Sequence, residues 1–133
     1  MIYQSTIIDI LEKILEKNLI LNGDSPEWLN RLYLQMTYYN YVTLSADDII
    51  KKTGFSSGYI SSMFKKYYNI TFNQYNIKTK LMYSVSLLGK MKIIEIAQKL
   101  GWENPKNYSI EFQKLYGISP KKYELKLKAT TRI

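Results

Sequence analysis

Apolar residues recur at helical spacing along nearly the whole chain, beginning with an amphipathic stretch at residues 5–20. Within it, apolar side chains stand at i, i+4, i+7 and i+8, and these are Ile7, Leu11, Ile14 and Leu15. Charged residues occupy the other faces, so the pattern predicts an amphipathic helix. Its apolar stripe needs a partner. The candidates are the rest of this chain, a second copy in a dimer, or a domain absent from the sequence.

A second helix is predicted after a break at residues 22–24. Ser25 has the residue type of an N-cap, and Pro26 suits the first helical position. Its inward stripe is formed by Trp28, Leu29, Leu32, Tyr33 and Met36. The tyrosine-rich residues 38–41 then serve as helix end and connector.

The remaining pattern predicts one helical unit that occurs twice. In the first copy a short helix starts at Ser45, Gly54 ends it, and a second helix follows. In the second copy a short helix covers residues 93–100, Gly101 ends it, and a second helix covers roughly 105–116. Glycine ends helices in this way because it adopts the left-handed conformation without a Cβ clash.

The two copies can be aligned residue by residue. Gly54 and Phe55 match Gly101 and Trp102 at an offset of 47. Five later pairs match at an offset of 48: Phe64 and Phe112, Tyr68 and Tyr116, Ile70 and Ile118, Thr71 and Ser119, Tyr75 and Tyr123. The second turn therefore contains one additional residue. Phe55 and Trp102 are predicted to fill the core beneath their turns.

The fold class follows from these elements. A helix of about residues 72–88 joins the copies, a last helix begins at Ser119-Pro120, and no useful β-alternation is present. The sequence predicts an all-α protein of about nine helices. It comprises two helix-turn-helix subdomains joined by a long central helix and preceded by one or two N-terminal linker helices. The expected division is a helical linker at 1–43, a tandem helix-turn-helix domain at 44–126 and a flexible tail at 127–133.

Charge is concentrated in the repeated part. Residues 1–43 hold three basic and five acidic residues, whereas residues 44–126 hold fourteen lysines and six acids, a net charge of +8. A basic module next to a mildly acidic one favours a polyanion as the partner of the basic part. The alternative is a surface kept soluble by lysine.

Composition removes several kinds of chemistry. The chain has no cysteine and no histidine. Disulfides, thiol nucleophiles, Ser-His-Asp triads and histidine-ligated metals are therefore excluded. We expect no cofactor and no metal site. The paired carboxylates Asp47 and Asp48 are better explained by the helix dipole in a first turn than by acid–base catalysis. The sequence shows no signal peptide or membrane span, so we expect a soluble cytoplasmic protein.

A short helix, a glycine turn and a second helix with one polar face are typical of a helix-turn-helix, whose second helix enters the DNA major groove. Lysines near these helices can neutralise phosphates, and helix starts can offer backbone N–H groups to phosphate oxygens. The predicted phosphate-contacting residues are Ser45, Lys65, Lys66, Thr71, Lys114, Ser119, Lys121 and Lys122. A connecting helix of about 17 residues spans roughly 25 Å. With its flanking turns it can hold the two groove-binding helices near the roughly 34 Å between successive major-groove faces.

Two stretches carry a family resemblance: LSADDIIKKTGFSSGYISSMFKKYYNITFNQY and IIEIAQKLGWENPKNYSIEFQKLYGISPKKY. Together they resemble the DNA-binding domain of AraC/XylS-type transcriptional regulators over about residues 44–126. The resemblance implies base-facing positions at Gly58, Ser61, Ser62, Pro105, Lys106, Ser109 and Ile110. This chain departs from the family pattern at Gly58, Ser61 and Ser62, which are small, and at Ile110 and Glu111. Thin direct readout, with more weight on phosphates and DNA shape, follows from these departures.

The resemblance also suggests a biological setting. Residues 25–36 resemble the linker helix of the subgroup that regulates sugar-utilisation genes. That subgroup has an upstream cupin-like sensor domain, so we expect this sequence to be part of a longer protein. The expected partners are double-stranded DNA and RNA polymerase, with no membrane. A homodimer would form through residues 5–20 or through the sensor domain. The alternative function is a helical protein-interaction module acting through residues 5–20 or 38–41 without sequence-specific DNA binding.

Overall fold

A computed structural model describes residues 24–131, and these residues form seven α-helices without a β-strand. The helices are α1 (Glu27–Thr37), α2 (Ala46–Thr53), α3 (Ser57–Tyr68), α4 (Phe72–Val85), α5 (Ile93–Lys99), α6 (Pro105–Tyr116) and α7 (Pro120–Thr131). The predicted all-α architecture of two short helix pairs is confirmed. The helix predicted at residues 5–20 lies outside the described residues.

The helix boundaries show why these segments fold as they do. Ser56 caps α3, since its side chain accepts a hydrogen bond from the Tyr59 N–H, and Asn104 caps α6 by accepting from the Lys106 N–H. Gly54 and Gly101 end α2 and α5 with φ angles of 76° and 97°. A residue with a Cβ is strained in that region, so glycine is required at both turns. The repeated turn predicted from the sequence is confirmed.

Three boundaries differ from the expectation. Pro26 has an extended ψ of 145° and precedes α1, while the Ser25 hydroxyl donates to Asn30 Oδ1 at 2.8 Å, so Ser25 is not the cap. α4 ends at Val85 rather than 88, because residues 86–88 form tighter turns to carbonyls three residues back. α7 continues to Thr131, within the segment 127–133 assigned to a tail. The flexibility of that tail stays a prediction.

The chain forms two compact units. Unit 1 contains residues 24–41 and 46–76 of the described part, and unit 2 contains residues 42–45 and 77–131. α4 contributes residues to both units. Unit 1 buries Leu29 and Leu32 of α1, Ile49 of α2 and Ile60 and Phe64 of α3. α1 is thus part of the same core as the first helix pair.

Tyrosines connect α1 to the other helices of unit 1. The Tyr33 ring lies between those of Tyr68 and Tyr75, with centroid distances of 4.3 and 4.8 Å. The Tyr68 hydroxyl donates to Asn30 Oδ1 at 2.7 Å, and the Tyr75 hydroxyl is hydrogen-bonded to Thr37. Burial raises the pKa of both phenols, so both remain neutral. These rings fill the core edge while their polar tips find partners.

Unit 2 is centred on α6, which packs against α5 and α7. Tyr108 and Phe112 of α6 are fully buried, together with Ile96 and Ala97 of α5. The Phe112 ring also meets Tyr123 of α7 edge-on at 5.6 Å. The equivalent residues Phe64 and Phe112 are therefore the central core residues of their units, as the alignment of the repeats implies.

Candidate nucleic-acid interface

The outward face of α3 is formed by small and basic residues. Ile60 and Phe64 fix the orientation of α3 because both side chains are fully buried. The opposite side then exposes Gly58, Ser62, Lys65 and Lys66, with Ser61 half-buried. Space around Gly58 is open, since a Cβ at this position would have no atom within 4 Å. The predicted base-facing residues of the first unit and the lysines Lys65 and Lys66 thus lie on α3 outside its buried side.

The outward face of α6 carries longer side chains than Gly58, Ser61 and Ser62 of α3. Tyr108 and Phe112 hold this helix against the core of unit 2. Lys106, Ile110 and Lys114 are exposed at four-residue intervals, and Ile110 is 52% exposed. Pro105 and Ser109 are half-buried beside them. In α6, as in α3, the predicted residues are therefore exposed or half-buried and none of them is fully buried.

The aromatic residues of the two turns are less buried than expected. Phe55 is 39% exposed, so the prediction that it fills the core is wrong. Its ring instead lies against Trp28 of α1 at 4.4 Å and Tyr59 of α3 at 5.1 Å, because α1 covers this edge of unit 1. Trp102 is half-buried and packs against Tyr108 at 5.2 Å. The ring types match between the units, but their environments do not.

Carboxylates lie close to two of the predicted phosphate-contacting lysines. Glu111 is 3.4 Å from Lys114 along α6, and Glu124 is 3.9 Å from Lys121 along α7. Both lysine side chains are more than two-thirds exposed, so these ion pairs are weak in water. A phosphate would compete with the carboxylate for each lysine. Lys65, Lys66, Lys106 and Lys122 are also exposed.

The helix-start residues act first as caps. Thr71 and Gln74 form a capping box at α4, in which each side chain accepts the backbone N–H of the other at 3.1 and 3.2 Å. The Ser119 hydroxyl accepts from the Lys122 N–H at 3.2 Å at the start of α7. Ser45 is exposed immediately before α2. Gln74 was not among the predicted residues, although its position three residues after Thr71 is the sequence signal of a capping box.

Lys80 is a basic residue with a structural role that its sequence context does not indicate. It is only 7% exposed on α4, and its Nζ donates to the Leu44 carbonyl at 2.8 Å within unit 2. Burial lowers the pKa of Lys80 to about 8. Lys80 therefore fixes the segment before α2 and is not available to a nucleic acid. No sequence signal separates it from the exposed lysines around it.

A groove of about 570 Å³ lies at the turn before α5 in unit 2. Its lining includes Lys90, Lys92 and Lys121 as well as the carboxylates of Glu95 and Glu124. This mixture gives the groove no uniform sign of charge. Among the residues that the structure describes, no group of three acidic residues is arranged to hold a metal ion. No helix within residues 24–131 is long and apolar enough to cross a membrane.

Comparison with known proteins places this geometry in a family. A model described as a helix-turn-helix domain matches residues 49–126. The HTH-type transcriptional regulator YtdP of Bacillus subtilis (strain 168) is 34% identical over 82 residues, which cover 60% of this chain and 11% of YtdP. The transcriptional regulatory protein HptR of Staphylococcus aureus (strain NCTC 8325) is 32% identical over 91 residues, covering 68% of this chain and 35% of HptR. The chain thus spans only a minor part of these curated relatives.

Solved structures agree with the sequence relatives. The C-terminal domain of the two-component response regulator yesN from Fusobacterium nucleatum is 30% identical with a TM-score of 0.61, covering 71% of this chain and 96% of that domain. The C-terminal domain of AraT, a response regulator from Geobacillus stearothermophilus, has a TM-score of 0.65 at 23% identity over 77% of this chain and 88% of that domain, and supports the fold alone. YtdP, HptR and the yesN protein are regulators by name, which agrees with the prediction of no catalysis. The chain therefore belongs to the AraC/XylS-type helix-turn-helix domains of transcriptional regulators.

Proposed function

We propose that this chain binds double-stranded DNA in a sequence-specific manner by inserting α3 and α6 into adjacent major-groove segments of a promoter. The observation that carries the proposal is the pair of outward faces on α3 and α6. Each is held outward by two fully buried side chains, Ile60 and Phe64 in α3 and Tyr108 and Phe112 in α6, and is accompanied by exposed lysines. The net charge of +8 on residues 44–126 favours a polyanion partner.

Base contacts are assigned to the exposed or half-buried outward residues of the two helices. In α3 these are Gly58, Ser61 and Ser62, and in α6 they are Pro105, Lys106, Ser109 and Ile110. Lys106 stands in the first turn of α6, where groove-binding helices meet base edges. Serine hydroxyls provide single, weakly directed hydrogen bonds, so α3 supplies little direct readout.

Phosphate contacts are assigned to lysines and helix starts around these faces. The set comprises Ser45, Lys65, Lys66, Thr71, Lys114, Ser119, Lys121 and Lys122. Each phosphate neutralised by a lysine releases counterions, so the affinity falls as salt rises. Backbone N–H groups at the starts of α2 and α4 add contacts that carry no sequence information.

The family resemblance suggests a setting for this activity. We propose that residues 1–43 link the tandem helix-turn-helix part to a sensor domain of a longer cytoplasmic protein. The target genes would be those of carbohydrate use, with RNA polymerase as a further partner. The resemblance of residues 25–36 to a linker helix of sugar-gene regulators supports this setting.

A mobility-shift titration with a promoter fragment at two salt concentrations tests the proposal. We expect Lys106→Ala to weaken binding to the specific sequence by about 1–3 kcal/mol and to relax specificity at the base pair it contacts, while the affinity of the unaltered chain falls as salt rises. Lys128→Ala is the matched control, because Lys128 lies on α7 3.3 Å from Glu124 and outside the proposed contacts. An affinity that does not change with salt concentration would rule out the DNA function. Equal losses in the two variants would show that α6 is not the groove-binding helix.

A protein-interaction module is the second candidate. The exposed ring of Tyr38, 45% accessible directly after α1, favours it. Residues 5–20, which would supply the other contact surface, lie outside the described residues. Sedimentation of the 133-residue chain measures its oligomeric state and so shows whether the chain associates with itself. A chain that stays monomeric at high concentration has no such dimer contact.

A further inference from the structure

Ile110 is an apolar residue in the polar outward row of α6. The row runs through Lys106, Ile110, Gln113 and Lys114, which are all exposed and stand three or four residues apart. Ile110 is 52% exposed, whereas Tyr108 and Phe112 on either side of it in sequence are fully buried. Its side chain therefore contributes little to the core of unit 2. Its apolar area is available to a ligand that meets this row.

The equivalent position in unit 1 has different chemistry. At the offset of 48, Ile110 corresponds to Ser62, Ser109 to Ser61 and Lys106 to Gly58. The two outward faces share the serine in the middle and differ on both sides of it. At these three positions α3 carries only glycine and serine, while α6 carries a cation and a branched aliphatic group. Discrimination between bases by side-chain contact is therefore concentrated in α6.

The chemistry of Ile110 restricts what it recognises in the major groove. It has no hydrogen-bonding group, and the apolar feature that a base displays there is the C5 methyl of thymine. The other base edges offer hydrogen-bond donors and acceptors, which an aliphatic side chain would desolvate without compensation. On the basis of the proposed DNA function, we infer that Ile110 is a specificity-determining residue that selects a T·A pair through the thymine methyl group.

The expected effect is modest and measurable. Burying one methyl-sized group in an apolar contact corresponds to about a fourfold change in affinity. Replacing that thymine by deoxyuridine removes the methyl group and leaves the hydrogen-bonding edge intact. The loss should therefore occur at one thymine and be absent when Ile110 is replaced by serine, the residue found at the equivalent position of α3.

The experiment uses the 133-residue chain and a random double-stranded DNA pool, from which bound duplexes are enriched at low salt. The best duplex is resynthesised with deoxyuridine at each thymine in turn, and the affinity of each version is measured. We expect one position at which deoxyuridine costs the unaltered protein about fourfold. Ile110→Ser should bind the thymine duplex with an affinity lower by a similar factor. Its affinity should not fall further when deoxyuridine replaces that thymine. Ile110→Val, which keeps the branched group, should restore the discrimination.

Leu115→Ser is the matched control. Leu115 is also an exposed apolar residue of α6, at 40%, but it lies off the row of Ile110. This variant should retain the full deoxyuridine penalty. A duplex that binds well yet tolerates deoxyuridine everywhere, or an Ile110→Ser variant that keeps the penalty, would overturn the thymine contact alone. Failure to enrich any duplex in a salt-dependent manner would overturn the proposed DNA function and the contact with it.

Discussion

The free energy of unfolding should increase with pH because Lys80 is buried, and removing the charge of Lys80 should abolish that increase. Lys80 is 7% exposed, and burial lowers its pKa to about 8, whereas an unfolded lysine titrates at about 10.4. Between these values the unfolded chain binds more protons than the folded one, so stability increases as pH rises. Below pH 8 both states are protonated, and the full cost of the buried cation is present. The Leu44 carbonyl, 2.8 Å away, offsets only part of that cost.

The magnitude follows from the two pKa values. Going from pH 7 to pH 9.5 should raise the free energy of unfolding by about 2 kcal/mol, which corresponds to a Tm increase on the order of 8 °C. Higher pH is avoided because burial raises the pKa values of Tyr68 and Tyr75. Ionisation of these tyrosines in the unfolded chain would then favour unfolding above about pH 10.

Urea unfolding at pH 7 and pH 9.5 provides the measurement. Lys80→Met keeps most of the side-chain length and removes the titrating group, so its stability should not show this rise. Lys78→Met is the matched control, since Lys78 is exposed on the same helix and should leave the rise intact. A Lys80→Met protein with an undiminished rise, or an unaltered protein without one, would refute the role given to this lysine.

Two further predictions concern the core edge and the charge of α6. Tyr33→Ala should lower the free energy of unfolding by about 3 kcal/mol because it removes the ring that packs on Tyr68 and Tyr75. Tyr38→Ala, at an exposed position, should change it little, and equal effects in urea unfolding would contradict the packing argument. Glu111→Gln should raise DNA affinity about threefold at low salt and less at high salt, since it removes a carboxylate 3.4 Å from Lys114. Glu27→Gln on α1 is the control in the same titration, and an unchanged affinity for Glu111→Gln would show that Lys114 does not face phosphate.

Local chemistry made the helical repeat predictable. Gly54 and Gly101 end their helices for a reason that concerns only the backbone of those residues, and the capping residue Asn104 acts within its own turn. The period of apolar residues then placed Phe64 and Phe112 on the inner faces. The outward positions of α3 and α6 follow from the same period, whereas the choice of base-facing residues is what the family resemblance implies.

Contacts distant in sequence required the tertiary structure. The sequence assigned α1 to a separate linker segment, but Tyr33 packs on Tyr68 of α3 and Tyr75 of α4. Trp28 packs on Phe55, whose ring lies against α1 at the surface and not in the core. In the sequence Lys80 cannot be distinguished from the surface lysines, and only the fold places the Leu44 carbonyl next to its Nζ. Whether a segment is helical, and which of its sides faces outward, depends on residues within a few positions, so the sequence by itself determined the repeat and its outward faces. Which lysine is buried and what covers an aromatic ring depend on residues tens of positions away, so only the folded chain decided them.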